Sequence, residues 1–335
     1  MTDFAWPVVA ADIGGTNVRF AWLEHAEAEP VHLAKLRTNG FETLTDALNK
    51  ALSKADVAPP GTGLFAGAGP IRDDGLDLTN ARWVIRPPDL IERTGLAEVV
   101  LFNDFEAQAL ALPFLGEDEL HRVGDAAPRA DRTKAVIGPG TGLGVGVLAH
   151  AQGRWVVVPG EGGHVDLGPR DAKEASIFER IERIGGRVSG EQALSGDGLL
   201  NLYRAVCGTR GENCAHDDPA DVTEAALADD DAAAREALTL FCALLGRLAG
   251  DLALTVMAKG GVYIGGGIVP RILDFLDASP FRAAFEDKAP HGALMRECAT
   301  SVVTADVPAL EGLLGFARKP DAFVIELAHR RWRAD

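Results

Sequence analysis

Cysteine is scarce, four residues in 335. Cys207, Cys214, Cys242 and Cys298 include no C-x-x-C pair, which excludes a disulfide scaffold and predicts reduced thiols. Cys207, Cys214 and His216 are zinc-type side chains lacking a fourth, so they read as an irregular surface loop rather than a zinc site. Basic charge is also short. Lys and Arg number 33 against 49 Asp and Glu, a formal net charge of -16, so no cationic surplus exists to displace counterions from nucleic acid or to hold an anionic membrane. A small anion is not excluded, because backbone N–H groups, helix N-termini and a divalent metal bind phosphate without entering a charge count. Long apolar runs are missing too. The opening MTDFAWPVVAADIGG has neither the basic segment nor the apolar core of a signal peptide, which points to a cytoplasmic protein. Leu252 to Val269 is interrupted by Lys259 and five glycines, a pattern that predicts a buried helix, turn and strand rather than a membrane span.

What is present is the material for two domains. The chain is about twice the usual length of one domain, and 47% of its residues are hydrophobic against 24% charged, enough for a large core. Glycine-rich turns follow β-branched runs three times, in VVAADIGGTNVRFAW (8–22), AVIGPGTGLGVGVL (135–148) and GGVYIGGGIVPRIL (260–273). The first two share a strand–turn–strand layout, as if a unit were duplicated near the start of each of two α/β domains. Thr43–Ala55 and Asn103–Leu112 read as helices, and Gly63–Ala68 and Val99–Phe102 as buried strands. Later, Ser176–Ile184, Gly198–Val206, Asp231–Met257 and Ile272–Leu276 carry helical patterns. Polar Ala130–Lys134 reads as a domain junction.

Chemistry concentrates where strands end. Asp12-Ile13-Gly14-Gly15-Thr16 closes an apolar strand with an acid, two glycines and a hydroxyl, a turn whose backbone can approach phosphate oxygens. An ordinary tight hairpin has the same residues. It matches neither G-x-G-x-x-G nor G-x-x-x-x-G-K-[ST], which disfavours a dinucleotide fold and a P-loop. Gly138-Pro139-Gly140-Thr141-Gly142-Leu143-Gly144 is a second such turn. Gly265-Gly266-Gly267 follows a strand, leaving flat space for a purine or ribose, or else forming a turn that needs positive φ. Asn103-Asp104 ends the strand Val99–Phe102, where open α/β sheets place ligands. Asn103 can meet vicinal hydroxyls and Asp104 can take a hydroxyl proton; a helix N-cap is the competing reading. Glu161 and His164 share a glycine-rich loop after strand Trp155–Val158, and Glu191 opens a helix-like segment, where an acid also complements the dipole.

Taken together, these segments resemble the bacterial glucokinases, the hexokinase-like branch of the actin-type ATPase fold. The resemblance rests on ADIGGTNVRFAW, LTNARWVI, LFNDFEAQALALP, IGPGTGLGVGVL, VVPGEGGHVDLGP, GRVSGEQALSGDGLLNLYRAV and VYIGGGIVPRIL, in family order from residue 11 to residue 273. It implies a two-domain, ribonuclease H-like α/β fold with a cleft between a small domain and a larger, more helical one. The expected small domain is 1–113, completed by a C-terminal helix over 310–330, and the larger is 114–309. ATP phosphates would lie on Ala11, Asp12, Ile13, Gly14, Gly15 and Thr16 and on Gly140, Thr141 and Gly142, with adenosine against Gly265, Gly266 and Gly267. Ala11 stands where glycine is common in the family. Asn103, Asp104, Glu161, His164 and Glu191 would bind the sugar, and Asp104 would be the general base. Mg2+ would sit on the phosphates, reached by Asp12 through water. The reaction implied is γ-phosphoryl transfer from ATP to the 6-hydroxyl of glucose by a homodimer, at the entry of glycolysis, with domain closure excluding water. Kinases of other hexoses, polyphosphate as donor, and a sugar sensor without turnover are the alternatives. The zinc motif of the related repressor and sugar-kinase family is lacking, and so is a DNA-binding extension.

Overall fold

The computed structural model describes residues 3–79 and 81–334; Asn80, inside the LTNARWVI motif, lies outside them. The chain begins with strands β1 (Val8–Ile13), β2 (Asn17–Leu23) and β3 (Val31–Arg37), then α1 (Leu44–Leu52) and β4 (Thr62–Gly67). Three short strands follow, β5 (Ile71–Arg72), β6 (Gly75–Asp77) and β7 (Val84–Ile85), before α2 (Pro87–Thr94), β8 (Glu98–Asn103) and α3 (Asp104–Ala111). Next come β9 (Leu120–Val123), β10 (Lys134–Pro139), β11 (Leu143–Ala151) and β12 (Arg154–Val158). A helical stretch holds α4 (Ala172–Phe178), α5 (Gly196–Arg210), α6 (Pro219–Ala228) and α7 (Ala232–Val256). The chain finishes with β13 (Val262–Ile264), α8 (Leu273–Ala278), α9 (Phe281–Glu286), α10 (Gly292–Arg296), β14 (Thr300–Val303), α11 (Pro308–Arg318), β15 (Phe323–Val324) and β16 (Arg331–Arg333).

Two compact units result, one of Met1–Gly116, Leu148–Pro159 and Ala305–Asp335, the other of Glu117–Val147 and Gly160–Thr304. In the first, a six-stranded sheet runs β16-β8-β4-β1-β2-β3. β1, β4 and β8 are parallel, and the other pairings are antiparallel. β4 is buried at every position, as a parallel strand covered on both faces must be. One face packs Val9, Ile13, Phe20, Phe65 and Leu101 against Leu44 and Leu48 of α1. α3 and α11 approach each other closely through small residues: a Cβ on Gly312 would collide with the Ala107 carbonyl. Phe316 of α11 stacks edge-on with Phe4 and Phe102.

In the second unit β10 lies parallel to β13 and β13 to β14, while β14 pairs antiparallel with β9. Helices α5, α6 and α7 surround the core. α7 is the one helix among the described residues long and apolar enough to cross a membrane. Most of it is buried in this core, where Phe241, Leu244 and Leu245 are fully covered, and that burial explains its apolar composition.

Three expectations change. The helix expected over 310–330 stops at Arg318, and β15 and β16 follow it. Pro320 is the cause, since the residue before a proline is driven out of the α region and Pro itself donates no N–H. Ala130–Lys134 is not a junction: it lies within the second unit, where Lys134 opens β10. The helix expected over Ser176–Ile184 lies earlier, at Ala172–Phe178, because the Asp171 side chain accepts the Glu174 N–H and caps its start.

Candidate active site

The first glycine turn and the Asn103–Asp104 pair belong to the first unit and share one edge of its sheet. Ile13 pairs with Gly67, and Gly67 with Asn103, in the parallel register of β1, β4 and β8. The carboxyl ends of β1 and β8 are therefore level and two strand spacings apart, about 10 Å. Gly14 N–H donates to Asn17 O at 2.9 Å, closing the turn. Asn103 is the N-cap of α3: its Oδ1 accepts the Phe105 N–H at 2.9 Å, and Glu106 reaches back to the Asn103 N–H at 2.9 Å, completing a capping box. Asn103 Nδ2 is 3.4 Å from Gly69 O. Asp104 is the first helical residue, and its Oδ1 accepts the Phe105 N–H at 3.1 Å. A carboxylate here sits at the helix N-terminus, whose free backbone N–H groups orient it.

The remaining site residues gather in the second unit. Glu161 precedes a 3-10 turn at Gly162–His164, and His164 Nε2 is 4.0 Å from Glu161 Oε2. The turn sits on β11: a Cβ on Gly163 would overlap the Leu143 carbonyl, so only glycine fits. Gly163 O accepts the Glu191 N–H at 2.9 Å, and Glu191 Oε2 accepts the Leu143 N–H at 2.9 Å. Glu191 is thereby fastened both to the Glu161–His164 loop and to the second glycine turn. Gly140 O accepts the Gly196 N–H at 2.9 Å, tying that turn to the start of α5. Gly265 N–H donates to Ile137 O at 2.9 Å, and Gly266 has φ +79°, with a Cβ barred by the Pro139 carbonyl. Gly265–Gly267 thus packs directly on Gly138–Gly140.

Burial pushes the Asp12 pKa above the usual carboxylate range, and Arg19, with Nη1 3.4 Å from Oδ2, pulls it part of the way back. A desolvated carboxylate with one long cationic contact suits a further cation. No group of three His, Cys, Asp or Glu side chains able to hold a metal is present among the described residues. A lone buried carboxylate is an oxygen donor of the kind a hard divalent cation takes. All four cysteines are free thiols.

Sequence reasoning missed several residues. Thr38, buried at 2% exposure, contacts both ends of the first turn; more than twenty positions separate them, and no local signal reveals it. The Glu106–Arg330 ion pair behind Asn103 was half visible, because Asn103-x-x-Glu106 has capping-box spacing.

A glucokinase family model matches residues 9–320. The chain belongs to the glucokinase family. Glucokinase from Rhizobium johnstonii is 50% identical over 328 residues, covering 98% of this chain and 96% of that protein. Glucokinase from Rhizobium meliloti is 49% identical over 331 residues, covering 99% and 98%. The crystal structure of a glucokinase from an Antarctic psychrotroph superposes with a TM-score of 0.84 at 31% identity, covering 95% of this chain and 100% of that one. The two mixed sheets are accordingly those of the actin-type ATPase fold of this family.

Proposed function

We propose that the chain transfers the γ-phosphoryl group of ATP to the 6-hydroxyl of glucose, giving glucose 6-phosphate and ADP, with Asp104 as general base. Membership of the glucokinase family supports the reaction. One geometric observation supports the base: Asp104 and the Ala11–Thr16 turn end parallel strands at the same sheet edge, about 10 Å apart, a spacing that accommodates a transferring phosphoryl group and a hydroxyl between them. Phosphoryl transfer asks the protein for alignment, charge neutralisation and a route for one proton. Asp104 accepts that proton from the attacking hydroxyl, and the helix N-terminus keeps its carboxylate oriented.

In this reading Asn103, Glu161, His164 and Glu191 bind sugar hydroxyls. Ala11–Thr16 and Gly140–Gly142 bind ATP phosphates, and Gly265–Gly267 faces adenosine. Asp12 would hold Mg2+, which would supply charge neutralisation on the phosphates. The first unit corresponds to the small domain and the second to the larger, more helical one. The protein works in the cytoplasm as a homodimer.

Replacing Asp104 by Asn keeps an acceptor for the Phe105 N–H and removes the base. In a coupled assay of ADP release, kcat should fall by roughly 10²- to 10⁴-fold while glucose affinity stays within a few-fold. Near-normal turnover would remove Asp104 from the mechanism.

A further inference from the structure

We infer that Thr38 is a positioning residue for phosphate binding, turning the amides of the first glycine turn toward the nucleotide. The inference rests on the reading that Ala11–Thr16 holds ATP phosphates. Thr38 follows β3, at the start of a 3-10 turn over Thr38–Gly40. Its Oγ1 donates to Gly14 O at 2.8 Å, and its own N–H donates to Thr16 O at 2.9 Å. One buried residue therefore holds a carbonyl at each end of the Gly14–Thr16 segment.

The consequence follows from peptide geometry. In a planar trans peptide the C=O of one residue and the N–H of the next point in opposite directions. Fixing Gly14 O on the Thr38 hydroxyl aims the Gly15 N–H away from Thr38, and fixing Thr16 O aims the Asn17 N–H the same way. Two donors then face the side opposite Thr38, while the carbonyl oxygens that would repel a phosphate are occupied behind them. Consecutive glycines do not maintain such an arrangement unaided, because each populates both signs of φ. Thr38 is itself anchored: Phe41 N–H reaches Thr38 O at 3.4 Å, and Trp83 Nε1 donates to Phe41 O at 3.0 Å.

Thr38→Val is nearly isosteric, keeps the backbone N–H and deletes only the Oγ1 bond. It should raise KM for ATP about tenfold, the effect of one lost hydrogen bond with a carbonyl left unsatisfied, while the glucose Kd stays within about twofold. Thr38→Ser restores the donor and should return KM for ATP to near the wild-type value. Hydrogen exchange of residues 12–17 in the wild-type protein, with and without ADP, tests the underlying reading separately. If ADP does not protect that segment, the phosphate-turn reading fails. If ADP protects it but Thr38→Val leaves KM for ATP unchanged, the inference about Thr38 fails by itself. Thr38→Ala is the second variant. Loss of glucose binding together with ATP binding in both Val and Ala variants would assign Thr38 to general folding and overturn the proposal.

Discussion

Glu106 links the stability of the first unit to the position of Asn103 and Asp104, and its ion pair can be isolated by mutation. Glu106 is 3% exposed. Both its oxygens lie 2.9 Å from Arg330 Nη1, and Oε2 also accepts the Asn103 N–H at 2.9 Å. The Arg330 side chain is 14% exposed, and its guanidinium carbon lies 6.0 Å from the centre of the Phe102 ring. Glu106→Gln preserves shape and an acceptor for Asn103, so the helix cap survives, but it leaves the Arg330 charge buried without its counter-ion. Removing one member of a buried pair costs about 3–5 kcal/mol. Retention of an amide acceptor and the partial exposure of Arg330 place the expectation at the lower end, ~3 kcal/mol.

The assay is unusually selective. Trp6, Trp22, Trp83, Trp155 and Trp332 are the chain's five tryptophans, and all lie in the first unit. All but Trp155 lie outside the sheet that holds β10 and β13, so urea unfolding followed by tryptophan fluorescence is weighted toward the first unit. Glu106→Gln should lower its unfolding free energy by ~3 kcal/mol, and the double variant Glu106→Gln with Arg330→Met should recover at least half, because no charge is then stranded. A loss below about 1 kcal/mol, or a double variant as unstable as the sum of the singles, would refute the reasoning.

Two further predictions concern pH. Burial lowers the Lys134 pKa from 10.5 to about 8, although its Nζ donates to Tyr263 Oη at 3.0 Å. Between pH 8 and 10.5 the unfolded chain holds the proton that the folded chain has released, so stability of the second unit should rise with pH across that window, by up to ~3 kcal/mol. Calorimetry of Lys134→Met should show no such rise; parallel curves for variant and wild type would exclude Lys134 as its source. Glu98 behaves in the opposite sense. Burial pushes its pKa up, but the Arg331 ion pair, the Thr62 hydroxyl at 2.9 Å and the Ala5 amide at 3.2 Å outweigh it and hold the folded value below 4.5. Its contribution is complete above pH 4.5 and is lost as pH falls through the lowered folded value. Glu98→Gln should flatten the acid limb of tryptophan-detected unfolding, and an unchanged acid limb would contradict this.

Much of the fold was legible because local pattern and tertiary role agreed. Val262–Ile264 is a strand as the run VYI predicts, and the end of β8 at Asn103 with α3 beginning at Asp104 follows from an apolar β-branched run meeting a capping residue. The failures occur where a distant partner overrules local chemistry. Lys134 reads as part of a polar linker, yet it is buried because Gly260 O and Tyr263 Oη receive its ammonium. The strand Arg331–Arg333 is too short and too charged to read as a strand; it pairs with β8 because Glu98 accepts its two arginines and Trp332 packs on the core. Of the site, the residue types and their positions at strand ends were readable, and the supporting contacts were not. Asn103 shows why two readings of one residue need not compete. Its Oδ1 is committed to the helix cap, and that commitment gives its amide and the neighbouring Asp104 a fixed direction.

The two glycine turns share a physical requirement that their sequences alone do not meet. Glycine lets backbone amides approach an anion, but the same freedom leaves their direction undefined. Each turn is held by a side chain remote in sequence, the first by the Thr38 hydroxyl on Gly14 O and the second by the Glu191 carboxylate on the Leu143 N–H. The clamps differ in sign, and the difference carries consequences. Thr38 donates to a carbonyl and is neutral, so it adds no charge beside the turn. Glu191 spends one oxygen on the turn, and a carboxylate has acceptor capacity to spare for a sugar hydroxyl. A displacement of the Glu191 carboxylate would therefore be felt at the Leu143 amide, whereas Thr38 acts on the first turn alone.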